Sequence, residues 1–303
     1  MDPKWAKKEN ELPVYCISTF QDANTKDLDF DIKIFENLID EFKFTNQPHR
    51  HDFYDILFIT EGTGTHTIDF VTYEVKPCSI FFLTPGQVHS WDLSKDTKGF
   101  SIFFKPGFYL MDQRHKRRLD FPFFHSMNAS PALYLNCLID PIVKQVISEI
   151  YNENQTAEFG RENVVRAYLD ILLIKLSRYY QSLVKNNNTG QMTFQLRELE
   201  SLIDTHFREY KRPSDYAGMM NLSLKHLNKI CRVGINKTVG RMIQERIILE
   251  SKRLLLHSNQ TISQVSYHLG YEDNSYFARL FRNKTGFSPD GYRKAFLNVP
   301  NQA

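Results

Sequence analysis

Residues 261–292 read TISQVSYHLGYEDNSYFARLFRNKTGFSPDGY, and their spacing predicts two short helices joined by a tight turn. Thr261 with Gln264 three residues on is a capping-box start. Ile262, Val265 and Leu269 give the first helix one apolar face. Gly270 supplies a residue without a Cβ where the chain must turn. Asp273 stands where it can cap the second helix. That helix turns Phe277, Leu280 and Phe281 to a core and leaves Asn274, Ser275, Arg279 and Arg282 outward. Amide, hydroxyl and guanidinium groups on an exposed helix are what a DNA major groove accepts.

Roughly fifty residues upstream the pattern recurs as PSDYAGMMNLSLKHLNKICRVGINKTVG. Ala217 and Met220 are expected inward, Asn221-Leu222 at the turn, and Ser223 at the cap of the next helix. Leu227, Ile230 and Cys231 repeat the spacing of Phe277, Leu280 and Phe281. Lys225, Asn228, Lys229 and Arg232 point outward on this copy. A single such pattern is often only a corner between two helices; a tandem pair points to DNA. Between the copies, residues 239–257 alternate apolar and charged positions as a helix does. Nineteen residues of helix span about 28 Å, close to the repeat of about 34 Å between half-sites on one DNA face.

Over residues 195–296 the chain resembles the DNA-binding domain of the AraC/XylS family of bacterial transcription regulators. The resemblance rests on Gly270-Tyr271, Ser275-Tyr276-Phe277, Arg279, Phe281, 286–289 (GFSP) and Tyr292-Arg293. The first copy departs from the family pattern: Cys231 replaces an aromatic, Asn236 a glycine and Val239 a proline. Asn still tolerates the left-handed turn conformation. Matched to the family's recognition helices, Asn274, Ser275, Arg279, Lys225, Asn228 and Lys229 are expected near base edges. Arg232, Arg282 and Lys284 are expected at phosphates.

Charge follows the same division. Residues 193–303 hold 17 Lys and Arg against 10 Asp and Glu; the rest holds 21 against 25. Basic charge thus gathers where phosphate contact is expected. No apolar run is long enough for a membrane span, and the start, MDPKWAKKENELP, is not a signal peptide. The four cysteines, Cys16, Cys78, Cys137 and Cys231, lack zinc-ligand spacing and suit a reducing cytoplasm.

The amino-terminal half reads as β structure. Short apolar runs at 14–17 and 30–35 predict edge strands, and 56–60, 65–70, 79–83 and 99–104 predict strands separated by Gly and Pro turns. Close spacing of this kind suggests a barrel or jelly roll. His49, His51 and Asp55 share parity, so they face one side of an extended chain, and His89 follows after Pro85-Gly86. This pattern resembles the two short motifs of the cupin barrel, whose metal-binding members use two His, a Glu and a later His. Here Asp55 replaces the Glu, and the leading Gly of each motif is absent.

Three readings of His49, His51, Asp55 and His89 stand open: a small-molecule site, a structural cluster, or a site for an ion such as Zn or Fe. Trp91, Phe53, Phe81 and Tyr54 are candidate apolar lining, with ordinary core packing as the alternative. The basic run 114–118 reads as a solvated loop.

Residues 138–152 and 160–184 read as helices. In the second, Val165, Leu169, Leu172, Leu176, Tyr179 and Leu183 alternate steps of four and three, a heptad seam. Val164, Tyr168, Ile171 and Ile174 widen that face, so one side can pack on the barrel and the other on a second subunit. The run 185–190 (KNNNTG) reads as linker.

The expected architecture is α+β in two domains. Residues 1–184 form a cupin-like β-barrel with C-terminal helices, 185–192 a linker, and 193–303 an all-α domain with two helix-turn-helix modules on a long helix. The expected function is a cytoplasmic DNA-binding transcription regulator. It is not an enzyme, needs no cofactor or metal, and answers to a small molecule at His49, His51, Asp55, His89 and Trp91. Its expected partners are promoter DNA, that effector, a second copy of itself through 160–184, and RNA polymerase; the family resemblance implies activation. Two rivals remain: a metal-dependent cupin enzyme with an appended DNA-binding domain, and an architectural DNA binder without a sensing role.

Overall fold

The stretch SIFFL at 79–83 has no polar face of its own, which suits a strand covered on both sides. All five of its residues are buried in the computed structural model. The structure describes residues 12–21, 29–42, 47–110, 121–124, 129–136, 141–156, 158–183 and 190–297. The chain divides into two compact units, Pro13–Asn186 and Asn187–Ala303.

The first unit opens with β1 (Val14–Tyr15), β2 (Phe30–Ile34), α1 (Phe35–Glu41) and β3 (Arg50–His51). Then follow β4 (Tyr54–Glu61), β5 (Gly64–Ile68), β6 (Val71–Val75), β7 (Ser79–Leu83), β8 (His89–Leu93) and β9 (Lys98–Phe104). After these come α2 (Pro106–Leu110), β10 (Ala132–Tyr134), α3 (Pro141–Asn154) and α4 (Arg161–Leu183). The larger sheet has the order β10-β7-β4-β9-β2 and the smaller β6-β5-β8, while β1 and β3 form a parallel pair. Leu57, Ile59, Phe81 and Phe103 of the larger sheet share one core with Ile68, Val75 and Trp91 of the smaller, the barrel interior.

The other parity of the larger sheet, Ile56, Phe58, Ile80, Phe82, Ile102 and Phe104, packs on α3 and α4. That settles the heptad seam. Val165, Leu169, Leu172 and Leu176 are buried in this core, where each contributes about 1.5–3 kcal/mol. The seam therefore serves the chain's own packing. A second stripe, one residue offset, stays exposed: Val164, Ala167, Ile171 and Ile174, also in steps of three and four.

Several local expectations change. Phe35 opens α1 rather than closing β2, because Phe35 and Leu38, three apart, are both buried. The strand expected over 65–70 ends at Ile68, where Asp69 adopts φ 52 and turns the chain into β6. The basic run 114–118 lies outside the described residues. Cys16 and Cys231 are free thiols, whereas Cys78 is disulfide-bonded, which runs against the reducing compartment expected from the scattered cysteines.

The second unit is helical: α5 (Gly190–His206), α6 (Pro213–Met219), α7 (Leu224–Ile235), α8 (Val239–His257), α9 (Ile262–His268), α10 (Asn274–Thr285) and α11 (Pro289–Leu297). Residues 190–192, expected in the linker, are already helical in α5. Helix α8 has the expected bounds and touches every other helix of this unit. Thr238 caps its start by accepting from the Arg241 N–H. Its buried positions include Met242, Ile243, Ile247 and Leu255. Glu250 and Arg253 are also buried there, as an ion pair at 3.1 Å. Among the described residues no helix is long and apolar enough to cross a membrane.

Candidate functional site

The two reading modules, α6–α7 and α9–α10, are built by the same local chemistry. In each, the first helix ends in paired bonds from the turn: Leu222 N–H to Ala217 O and Tyr271 N–H to Ser266 O. Asn221 (φ 54) and Gly270 (φ 78) occupy the left-handed corner. The second turn is one residue longer before its cap. Ser223 accepts from the His226 N–H, and Asp273 from the Ser275 N–H. Thr261 and Gln264 complete the expected capping box. Both second helices end in left-handed residues, Asn236 (φ 53) and Gly286 (φ 81), so Asn does keep the turn that the family makes with Gly. Leu227, Cys231, Phe277 and Phe281 are buried, while Leu280 and Met220 are half-buried.

Of the nine side chains expected at DNA, Lys225, Lys229, Arg232, Asn274, Ser275, Arg279, Arg282 and Lys284 are exposed. Lys229 and Arg279 occupy the same position in the two helices, fifty residues apart. Asn228 departs from expectation. It is half-buried, and its Oδ1 accepts from the Val239 N–H at 3.1 Å. It thus ties α7 to the first turn of α8, since it sits beside Leu227 at the edge of the buried face. Asn274 donates to Ser263 Oγ at 2.9 Å, a surface bond that water or a base can replace. His226, not anticipated from sequence, shares a shallow groove with Lys225, Lys229 and Arg232.

In the barrel, backbone pairing assembles the histidines. His49 and His89 exchange backbone bonds, 3.0 Å and 2.9 Å, bringing β3 and β8 together. His51 follows on β3. His66, not expected from sequence, comes in from β5, where it pairs with Trp91. His49, His51, His66 and His89 are 0%, 5%, 0% and 2% exposed. The His49–His89 ring centroids lie 4.2 Å apart, and those of His51–His89 4.8 Å. Trp91 meets His49, His66 and His89 edge-on; Phe53 stacks on His51 at 4.4 Å, and Phe81 meets His66 edge-on.

Two hydrogen bonds bear on the rings. His49 Nδ1 lies 2.8 Å from the Gln47 carbonyl. A carbonyl only accepts, so that nitrogen carries the proton and Nε2 keeps a lone pair. His66 Nε2 and His89 Nδ1 are 3.0 Å apart. Five other ring nitrogens are buried without a protein partner: His49 Nε2, both of His51, His66 Nδ1 and His89 Nε2. Each such orphan costs about 1–3 kcal/mol. Burial holds the imidazoles neutral, pushing His49 down to about 4 and His66 to about 3. Burial and the neighbouring histidines hold His51 and His89 well below the usual range.

Asp55 does not join them. Among the described residues the group able to share one ion is His49, His51 and His89, with one ring nitrogen from each within 4.8 Å of the others. Asp55 shares the inward parity of Leu57 and Ile59, but accepts from Ser101 Oγ at 2.7 Å, and burial raises its pKa to about 7. Tyr54, also expected as lining, faces the helices instead and packs on Phe104 and Phe124. Odd and even positions of β4 reach opposite sides of the sheet.

Known proteins match both units. A family described as "Helix-turn-helix domain" matches residues 216–295, across both reading modules. One described as "AraC-like ligand binding domain" matches residues 39–160, across the barrel. The HTH-type transcriptional activator RhaS of Escherichia coli O157:H7 is 22% identical over 253 residues, 81% of this chain and 87% of the relative. RhaR of E. coli strain K12 is 23% identical over 253 residues, 81% of this chain and 86% of the relative. ToxT from Vibrio cholerae is a loose structural likeness, covering 88% of this chain and 98% of that one, with 17% identity and a TM-score of 0.41. Duplicated reading helices on one scaffold, joined in sequence to a barrel of the AraC-like ligand-binding kind, make the chain a member of the AraC/XylS family of transcription regulators.

Proposed function

We propose that the chain is a cytoplasmic transcriptional activator that reads two adjacent segments of promoter DNA and answers to a ligand in its barrel. The observation that carries this reading is the pair of capped, solvent-facing helices α7 and α10, packed on the same helix α8. Arg279 and Asn274 suit guanine and adenine by bidentate geometry; Ser275, Lys225 and Lys229 also face the bases. Arg232, Arg282 and Lys284 contact phosphate. Asn228 supports α8 and reaches a base only through its remaining amide N–H groups. The curated relatives are named as activators, which supports activation, with RNA polymerase as the protein contacted at the promoter. The exposed stripe Val164, Ala167, Ile171 and Ile174 supports a homodimer through α4.

The effector site takes His49, His51, His66, His89 and Trp91. A regulatory rather than catalytic role fits, because the rival enzyme reading needs Asp55 beside the histidines, and Asp55 is bonded to Ser101.

Substitution of Arg279 tests the groove assignment. Arg279→Ala is expected to weaken the preferred site about 5- to 150-fold, the equivalent of about 1–3 kcal/mol, and to relax choice at one base pair. Lys284→Ala is expected to weaken all duplexes alike and lower the salt slope by about 1. Binding titrations over a set of single-base variants read both. Unchanged base preference in Arg279→Ala removes the assignment.

A further inference from the structure

The first reading module is under a restriction that the second escapes. Lys225, Asn228, Lys229 and Arg232 of α7 line one groove with Ser223, His226 and Val233. Lysine and arginine side chains only donate. Asn228 is the one amide in that lining, and its Oδ1 already accepts from the Val239 N–H at 3.1 Å. Val239 is the first residue of α8, where an N–H has no carbonyl of its own helix to meet. Val239 is also 0% exposed, so swinging the Asn228 oxygen toward a base would bury that N–H without a partner. Ser223 Oγ accepts from the His226 N–H, and an imidazole turns one nitrogen at a time to a base edge. No side chain in the groove therefore presents an acceptor and a donor side by side, as bidentate contact with adenine N6 and N7 requires.

Helix α10 holds the other inventory. Asn274 spends one amide N–H on Ser263 Oγ at 2.9 Å and keeps its Oδ1 and second N–H together on an exposed residue. Arg279 adds a guanidinium fork in the place where α7 has Lys229. In the major groove guanine shows two acceptors, N7 and O6, which suit a donor-only surface. Adenine and cytosine each show an amino donor that asks for a protein acceptor.

We infer that, within the groove reading proposed above, the first module selects guanine alone, through Lys225, Lys229 and the Asn228 amide N–H groups. Adenine is read by the second module, through Asn274. The bond from Val239 to Asn228 sets the difference.

The test uses the full-length chain and its preferred duplex, selected from a random pool. Lys229→Ala and Arg279→Ala assign the two blocks, each relaxing choice in the block that its module reads. Single purines are then replaced by 7-deazaguanine, which lacks the N7 acceptor, or by N6-methyladenine, whose methyl group displaces the N–H that faces the major groove. In the first block 7-deazaguanine is expected to weaken binding about 5- to 150-fold at one or more positions, and N6-methyladenine to leave it unchanged. The second block is expected to respond to both. Val239→Pro removes the N–H that holds Asn228. Proline suits the first position of a helix, and Thr238 before it is already extended. This variant, its folding checked by circular dichroism, is expected to accept adenine for guanine at one position of the first block about 5-fold or more better than wild type.

The wild-type results decide on their own. N6-methyladenine that weakens binding in the first block overturns the inference, as does a first block indifferent to 7-deazaguanine. So does a folded Val239→Pro chain that rejects adenine there as wild type does. In each of these cases a responsive second block leaves the groove reading standing. If neither block responds to any replacement, the groove reading falls and this inference with it.

Discussion

Glu250→Gln is expected to lower the unfolding free energy of the helical unit by about 3–5 kcal/mol, the usual effect of breaking a buried ion pair from one side. Glu250 is 2% exposed and Arg253 3%. The Glu250 carboxylate meets Arg253 at 3.1 Å, Arg246 at 3.0 Å and Arg208 at 3.7 Å. Gln keeps the shape and one acceptor but leaves three guanidiniums without their shared negative charge. Arg246 also reaches Asp204 of α5 at 2.6 Å, so the network ties α8, between the two modules, to α5. An exposed pair such as Lys294–Asp290 is the control: Asp290→Asn is expected to change stability by less than about 1 kcal/mol. Urea unfolding of the two variants measures the contrast. Equal, small effects mean the buried network does not hold α8 in place.

Gly270→Ala is expected to cost about 2–5 kcal/mol, combining the left-handed penalty of about 1–2 with about 1–3 for forced displacement. Gly270 sits at φ 78, and a Cβ there falls 1.9 Å from the Arg208 carbonyl oxygen. That carbonyl is backbone and already accepts from Lys211 Nζ at 2.6 Å, so it cannot swing away cheaply. The turn of the second module thus lies backbone against backbone on the segment after α5. Asn221 holds the equivalent corner of the first module with a side chain present, so Asn221→Ala is the milder comparison. Thermal melting of both variants gives the sizes. A Gly270→Ala chain as stable as wild type contradicts this close approach.

Features set by a few neighbouring residues were legible from sequence. The capping box at Thr261, the caps at Ser223 and Asp273, the left-handed Asn236 and the bounds of α8 depend on local chemistry. Features that depend on which strands or helices meet were not. His66 lies among threonines in GTHTI and reads as surface; its bond to His89 arises from the pairing of β5 with β8. Its parity with buried Ile68 was the readable signal. The seam on α4 reads as apolar, but a heptad pattern does not say whether the chain's own sheet or a second copy covers it. Asp55 had the right parity and the wrong partner, because Ser101 on β9 claims it first. Asn228 has the chemistry of a base reader, and only the start of α8 beside it shows that its oxygen is already taken.

In the proposed function, two reading helices on one scaffold engage DNA together. Selection of preferred duplexes by the full-length chain from a random pool tests it most directly. Two specified blocks are expected, with centres about 10–10.5 base pairs apart, one helical turn. Shortening the spacer by half a turn is expected to abolish the preference. A single specified block, or no preference over random competitor, contradicts it.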